Sequence, residues 1–257
     1  MRILISNDDG ILAPGLAALR EAVLDLGEVI VVAPDAPQSA TGRAITLGGP
    51  MVCQKVHVED AFWGYSLGGK PTDCVKVAVD ELTDGMPDLI LSGINAGSNV
   101  GVNVFYSGTV AAAAEGALYG MAAVSFSLAG GGGDQMDFKR AARICRQLLD
   151  RFLDEGLAGG QLLNVNIPTL GGGRPKGVKV APQSTAAISE EYIRSETTDG
   201  KLLFQLSDYY EHGPAAGETD VSALEAHYIT VTPLHADLTD HSLLARFRRA
   251  EWPDPEA

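Results

Sequence analysis

At 257 residues the chain has room for one large domain or two ordinary ones, and its 46% hydrophobic content is enough to bury a substantial core. Its 33 acidic against 19 basic residues give a formal net charge of -14, which argues against a general binder of nucleic-acid backbone and against docking on anionic membrane. A small anionic substrate stays admissible if a metal or backbone amides supply local positive potential.

The N-terminal run Ile3-Leu4-Ile5 predicts a strand. Leu16, Leu19, Val23 and Leu26 follow at helical spacing behind Pro14-Gly15. Val29 to Ala33 predicts a second strand, Cys74 to Leu82 a helix, and Asp88 to Ser92 a third strand. Gly108 to Met121 predicts a helix rich in small residues, and Ala123 to Leu128 a strand. Ile144, Leu148 and Phe152 mark one face of a helix, and Leu162 to Ile167 predicts a strand ended by Pro168. Apolar strands separated by helices predict an α/β fold of Rossmann-like kind, a largely parallel sheet covered on both faces. After about Pro168 the pattern changes. Val178 to Leu206 reads as irregular strands and turns, and a short helix and the strand Tyr228 to Thr232 follow. We therefore expect one domain over 1–257, with an α/β core to about 168 and a less regular, β-rich extension beyond. Gly130 to Gly133 is the most linker-like stretch, set within a continuous fold, and no internal repeat is visible.

Cys53, Cys74 and Cys145 form no C-x-x-C pair, which predicts free thiols in a reducing compartment. The apolar start is too short for a signal peptide, and the longest apolar run, Val110 to Val124, carries Glu115. The expectation is a soluble cytoplasmic protein.

Four polar segments share one placement. Asp8-Asp9 follow the first strand, Ser39 follows the second, Asn95 follows the strand at 88–92, and Ser107-Gly108-Thr109 open a helix. Loops at the carboxyl ends of parallel strands gather on one edge, where ligands bind. Asn-Asp-Asp-Gly is also a turn-forming string, so the aspartates alone leave turn and site both open. Two carboxylates, a Ser hydroxyl and an Asn carbonyl make a hard oxygen set suited to Mg²⁺, Mn²⁺ or Ca²⁺. Zinc is not expected, because there is no H-E-x-x-H and no Cys/His cluster.

Ser107-Gly108-Thr109 reads either as an ordinary capped helix start or as an anion site built from unpaired N–H groups. The loop Gly93 to Gly101 is either a flexible connection or a site offering Asn95 to a metal and Asn99 to a phosphate. No Walker A loop and no G-x-G-x-x-G fingerprint is present. His57, His212, His227, His235 and His241 are scattered and receive no catalytic role.

The ordered set NDDG, QSATGRAIT, SGINAGSN and YSGTVAAAAEG, with PTDCV at 71–75 and ETD…YITVTPL at 218–234, resembles the SurE family of metal-dependent nucleotidases. The resemblance covers most of the chain and is weakest around 130–160 and 185–215. It implies a Rossmann-like fold with a C-terminal extension that builds homodimers or homotetramers. It also implies hydrolysis of nucleoside 5'- and 3'-monophosphates, in some members of short polyphosphate, and dependence on one divalent metal per subunit, Mg or Mn. The implied metal ligands are Asp8, Asp9, Ser39 and Asn95, with Asp8, Asp9 and Asn95 closest to the chemistry. The implied phosphate contacts are Asn99, Ser107, Gly108 and Thr109. Two departures are Lys70, where the family pattern has Thr in G-T-P, and Glu218, where Gly usually precedes Thr-Asp. No nucleic-acid polymer or membrane partner is expected. Asp237 to Trp252 reads as an interface arm or as a surface helix on its own subunit.

Three rivals stand beside this reading. A phosphoacceptor receiver would need an Asp where Asn95 stands and a chain about half this size. A haloacid-dehalogenase-type phosphatase would need D-x-D spacing, which D-D-G does not provide. A nucleotide-binding regulator without turnover shares every binding feature.

Overall fold

The computed structural model describes residues 1–130, 136–171, 173–213 and 217–253. Its elements in order are β1 (Arg2–Ser6), α1 (Pro14–Val23), β2 (Glu28–Pro34), β3 (Cys53–Val58), β4 (Ala61–Leu67), α2 (Pro71–Val77), β5 (Leu89–Ala96) and α3 (Gly108–Leu118). They continue with β6 (Ala122–Leu128), α4 (Phe138–Asp154), β7 (Leu162–Ile167), β8 (Val178–Val180), β9 (Ile188–Glu196), β10 (Leu202–His212), α5 (Asp220–Glu225), β11 (Ile229–Leu234) and α6 (His241–Phe247). Gly131, Gly132 and Gly133 of the linker-like stretch lie outside the described residues.

One nine-stranded sheet runs in the order β3-β4-β2-β1-β5-β6-β7-β11-β8. From β4 to β7 all neighbours are parallel, while β3 and β11 run antiparallel to the strands they join from that block. The chain leaves β1 toward β2 on one side and returns to β5 on the other. The crevice therefore opens at the carboxyl ends of β1 and β5.

Alternation along each strand sends successive side chains to opposite faces. Ile3, Ile5, Leu89, Leu91, Val124, Phe126, Val165 and Ile167 pack with Leu16 and Leu19 of α1 and with Cys145 and Leu149 of α4. Leu4, Val32, Ile90, Ala123 and Leu162 pack with Cys74 and Val75 of α2 and with the alanines of α3. Those alanines let α3 lie close to the sheet. A Cβ on Gly116 would sit 2.3 Å from Ile90 Cγ2, so only glycine fits there.

Several boundaries differ from the sequence expectation. The helix expected from Cys74 starts at Pro71, whose missing N–H suits a first turn, and its turns widen over Ala78–Leu82. The strand expected to end at Ser92 runs on to Ala96 after a register shift between Ser92 and Asn95, so Asn95 sits on the strand and not beyond it. On α4 the fully buried residues are Ala141, Ala142, Cys145 and Leu149, while Ile144, Leu148 and Phe152 flank them half-buried. The β3–β4 hairpin had no counterpart in the sequence expectation. β8 and β11, from the region after Pro168, join the main sheet, and β9–β10 form a separate antiparallel ribbon.

Candidate active site

The turn after β1 is closed by its flanking residues. Asn7 Nδ2 donates to Gly10 O at 3.0 Å, and Gly10 N–H returns to Asn7 Oδ1 at 3.2 Å. Gly10 takes φ +105°, which favours glycine. Neither aspartate side chain is used in that turn, so both are free to face outward from it.

Each aspartate reaches a different neighbour. The Asp8 backbone carbonyl accepts from Gln38 N–H at 2.7 Å, which draws in the loop after β2. Asp8 Oδ1 accepts from the Thr109 hydroxyl in the first turn of α3. Asp9 Oδ2 accepts from Ala96 N–H at 3.1 Å, at the end of β5. The four polar segments thus meet at these two residues, two of them through the carboxylates and the loop after β2 through the Asp8 backbone carbonyl.

Asp8 is 6% exposed. Burial raises its pKa above the ordinary carboxylate value, and the Asp9 charge adds to this, while hydrogen bonds from the Thr109 side chain and backbone oppose it. Burial likewise raises Asp9, against the Ala96 amide. Among the described residues no Lys or Arg pairs with either carboxylate. Two adjacent, desolvated carboxylates with no cationic side chain are what a bound cation would neutralise.

The other donors suit that cation. Asn95 Nδ2 donates to Gly97 O at 2.8 Å, which leaves Oδ1 without a protein donor among the described residues. Ser39 is exposed in the turn beside Gln38 and makes no hydrogen bond of its own among those residues. The set is all oxygen, as a hard divalent ion prefers. No group of three or more His, Cys, Asp or Glu gathers among the described residues, so the set is legible only when Ser and Asn are counted as ligands.

α3 starts against Asp8. Ser107 caps it, its Oγ accepting from Val110 N–H at 3.1 Å. A Cβ on Gly108 would lie 2.7 Å from Asp8 Cβ and 2.9 Å from Asp8 Oδ2. Among the described residues the Gly108 N–H finds no acceptor, so it is an open donor at the helix start that packs on Asp8. Asn99 is buried, and its Nδ2 donates to Ser127 Oγ at 2.9 Å.

The sequence reading assigned no role to Asp73 and Asp220 and named Lys70 only as a departure from the family pattern. Lys70 Nζ donates to Gln38 Oε1 at 2.8 Å, beside Ser39. Buried Asp73 accepts from Lys70 N–H at 2.8 Å and from Thr46 N–H at 3.0 Å, which fixes the approach to that rim. Buried Asp220 accepts from Gly101 N–H and Ser184 N–H, both at 2.8 Å. Both buried aspartates sit in Thr-Asp pairs of the motifs PTDCV and ETD. The second departure, Glu218, pairs with Lys179 on the surface.

The family model described as survival protein SurE matches residues 3–190. The chain belongs to the SurE family. Proteins named 5'-nucleotidase SurE from Christiangramia forsetii and Rhodopirellula baltica are 41% and 42% identical to it, over 94% and 98% of both chains. The crystal structure of the SurE protein from Aquifex aeolicus superposes with a TM-score of 0.82 at 36% identity, covering 96% of this chain and 98% of that one. The SurE relationship extends past the residues matched by the family model, through β11 and into the C-terminal segment, and it does not favour the receiver or dehalogenase readings.

Proposed function

We propose that this SurE-family chain is a divalent-metal-dependent phosphomonoesterase. It hydrolyses nucleoside 5'-monophosphates, and 3'-monophosphates beside them, to nucleoside and phosphate, with short polyphosphate as a further substrate. One observation carries the reading: Asp8, buried, and Asp9, half-buried, stand side by side with no cationic side chain paired to either among the described residues, and Asp8 lies against the N-terminus of α3.

Asp8, Asp9, Ser39 and Asn95 would hold one Mg²⁺ or Mn²⁺ per subunit. Such an ion supplies Lewis-acid polarisation of a phosphoryl oxygen and lowers the pKa of water. The Gly108 N–H and the second Nδ2 hydrogen of Asn99 are donors left open for phosphoryl oxygens, where charge grows in the transition state. Ser107 keeps its own hydroxyl hydrogen for the same use. The Thr109 hydroxyl is spent on Asp8, so Thr109 serves the phosphate through its place in the first turn while it holds Asp8 in orientation. The helix N-terminus adds partial positive charge that a chain of net charge -14 otherwise lacks.

The chain acts as one domain over 1–257, since β8 and β11 complete the sheet begun by the core. It works as a homodimer or homotetramer. The β9–β10 ribbon exposes Tyr192, Ile193, Leu203 and Phe204, and α6 exposes Leu243 and Phe247. A two-stranded ribbon is marginal alone, so a second copy gives it a reason to persist. Three free cysteines suit a cytoplasmic location. No helix among the described residues is long and apolar enough to cross a membrane.

The test is phosphate release from 5'- and 3'-nucleoside monophosphates with Mg²⁺, Mn²⁺ or EDTA, for wild type and Asp8→Asn. Release that needs metal and is lost in the variant is expected. A folded wild type that binds metal but releases no phosphate would leave the nucleotide-binding regulator as the better account.

A further inference from the structure

The carboxyl-end halves of β6 and β7 carry Ser125, Ser127, Asn164 and Asn166, all fully buried. Strand register pairs Ser125 with Asn164 and Ser127 with Asn166, and on the other side pairs Ser127 with Asn95. Four polar side chains in a sheet interior need partners; all four bond to one residue or to one another, and Ser125 Oγ has the Leu163 carbonyl as a second, longer acceptor at 3.4 Å.

That residue is Asn99. Its N–H donates to Asn166 Oδ1 at 2.7 Å, and its carbonyl accepts from Asn166 Nδ2 at 3.2 Å and from Asn164 Nδ2 at 2.8 Å. The Asn166 amide therefore grips both backbone groups of Asn99, as a neighbouring strand would. Ser125 Oγ donates to Asn164 Oδ1 at 2.9 Å and fixes that side chain in turn. Ser127 Oγ accepts one Nδ2 hydrogen of Asn99, which sets the amide plane and leaves the other hydrogen open. Two residues on, Asp220 and Gln183 hold Gly101 by its N–H and its carbonyl.

We infer that Asn166, with Asn164 and Ser127, is a positioning residue of the phosphate site: it locks Asn99 in backbone and side chain so that one amide hydrogen faces the substrate phosphate. This rests on the phosphomonoesterase reading. A loop that only needed its buried backbone satisfied could be served by any nearby carbonyl for the N–H and any nearby N–H for the carbonyl. Here the seat also orients a side chain, and it ties Asn99 to the strand row that carries Asn95. A donor held this way needs no reorganisation when charge develops on the phosphoryl group.

The test is a double-mutant cycle. Asn166→Ala, Ser127→Ala and Asn99→Ala are made singly, and each seat variant is combined with Asn99→Ala. kcat and KM for a nucleoside monophosphate and the metal concentration for half-activation are measured. Each seat variant is expected to lower kcat/KM roughly 10- to 100-fold, as lost support of a positioned group does. In the Asn99→Ala background the same change should cost less than about 3-fold, because the group it positions is gone. Half-activation by metal should stay within about 2-fold throughout, since no metal ligand is touched. Ser127→Ala removes a single oxygen and serves if Asn166→Ala fails to fold.

Additive effects, or a metal requirement that shifts in step with kcat/KM, would overturn the inference, as would wild-type kinetics in a folded Asn166→Ala. If the wild type releases phosphate from no nucleotide, the parent reading fails first. Binding of inorganic phosphate to the metal-loaded wild type and Ser127→Ala, by calorimetry, then decides the seat separately: equal affinities overturn it and a weakened Ser127→Ala supports it.

Discussion

The two faces of the sheet are built from the same strands and end differently. Under α1 and α4 the apolar rows continue to the carboxyl ends, through Ile5, Leu91, Phe126, Leu128 and Ile167. Under α2 and α3 they stop. Leu4 gives way to Ser6, Ile90 to Ser92, Ala123 to Ser125 and Ser127, and Leu162 to Asn164 and Asn166, with Thr232 and Thr230 of β11 extending the two rows. A face that only had to pack would gain from more methyl groups here. Apolar area is exchanged here for polar groups, hydrogen-bonded at Ser125, Ser127, Asn164 and Asn166 and without a hydroxyl partner among the described residues at Ser6, Ser92, Thr230 and Thr232, and this marks the face on which the crevice is organised and leaves the other face free to hold the fold.

The comparison breaks most sharply at Asp8. Asp8→Asn keeps the shape and the acceptor for Thr109 Oγ1 but removes the charge. Loss of turnover by about 10³-fold or more is expected, on the scale of removing a main electrostatic group. The metal-free variant should be more stable than metal-free wild type by about 1 kcal/mol, because the buried one of two adjacent carboxylates is gone. Phosphate release and urea unfolding in EDTA measure the two effects. Equal stability would mean that the pair is not strained without metal.

The opposite face should answer the other way. Leu19→Ala in α1 empties a fully buried site and should cost about 2–5 kcal/mol of unfolding free energy. kcat per folded molecule should be unchanged, as read by urea midpoint and single-temperature kinetics. A parallel loss of kcat would mean that the two faces are coupled through the sheet.

What was legible from the chain follows the same division. Ile3 to Ile5, Val29 to Ala33 and Leu162 to Ile167 were readable as strands because each is a short, mostly apolar run buried or half-buried on both faces. Cys53–Val58 was not: it is an outer strand with five of its six residues exposed, and its polar alternation resembles a loop. Asp8 and Asp9 stood out because adjacent carboxylates are costly. The seat of Asn99 did not, because a lone Ser or Asn inside an apolar run has no local meaning. Its partners lie 28, 65 and 67 residues away and meet only once β5, β6 and β7 are side by side. The Asp73 and Asp220 clamps were visible as motifs, but what they clamp is a matter of tertiary structure.

Gly108→Ala probes the seam between the two halves of the site. The added methyl would lie within 3 Å of Asp8 Cβ and Oδ2, so Asp8 or α3 must shift. Overpacking of this kind costs about 1–3 kcal/mol, and kcat/KM should fall with it, because both the carboxylate and the open N–H move. Retained activity with lowered stability would place the N-terminus of α3 outside the chemistry.

The smallest effect uses the cysteines as reporters, one under each face. Cys53 is exposed, while Cys74 in α2 and Cys145 in α4 are buried, and burial pushes both thiols up, out of the reactive range. With a thiol reagent, Cys53 should label at once and the other two only through opening of the structure. Cys74 follows Asp73, which ties down Lys70 and Thr46 at the rim, so occupation of the crevice should reach it. Cys145 packs on the far side with Leu149 and α1. Mg²⁺ with inorganic phosphate should therefore slow labelling of Cys74 several-fold and change Cys145 less. Equal slowing at both would show that the sheet opens as one unit, and that the two faces differ in chemistry but share one stability.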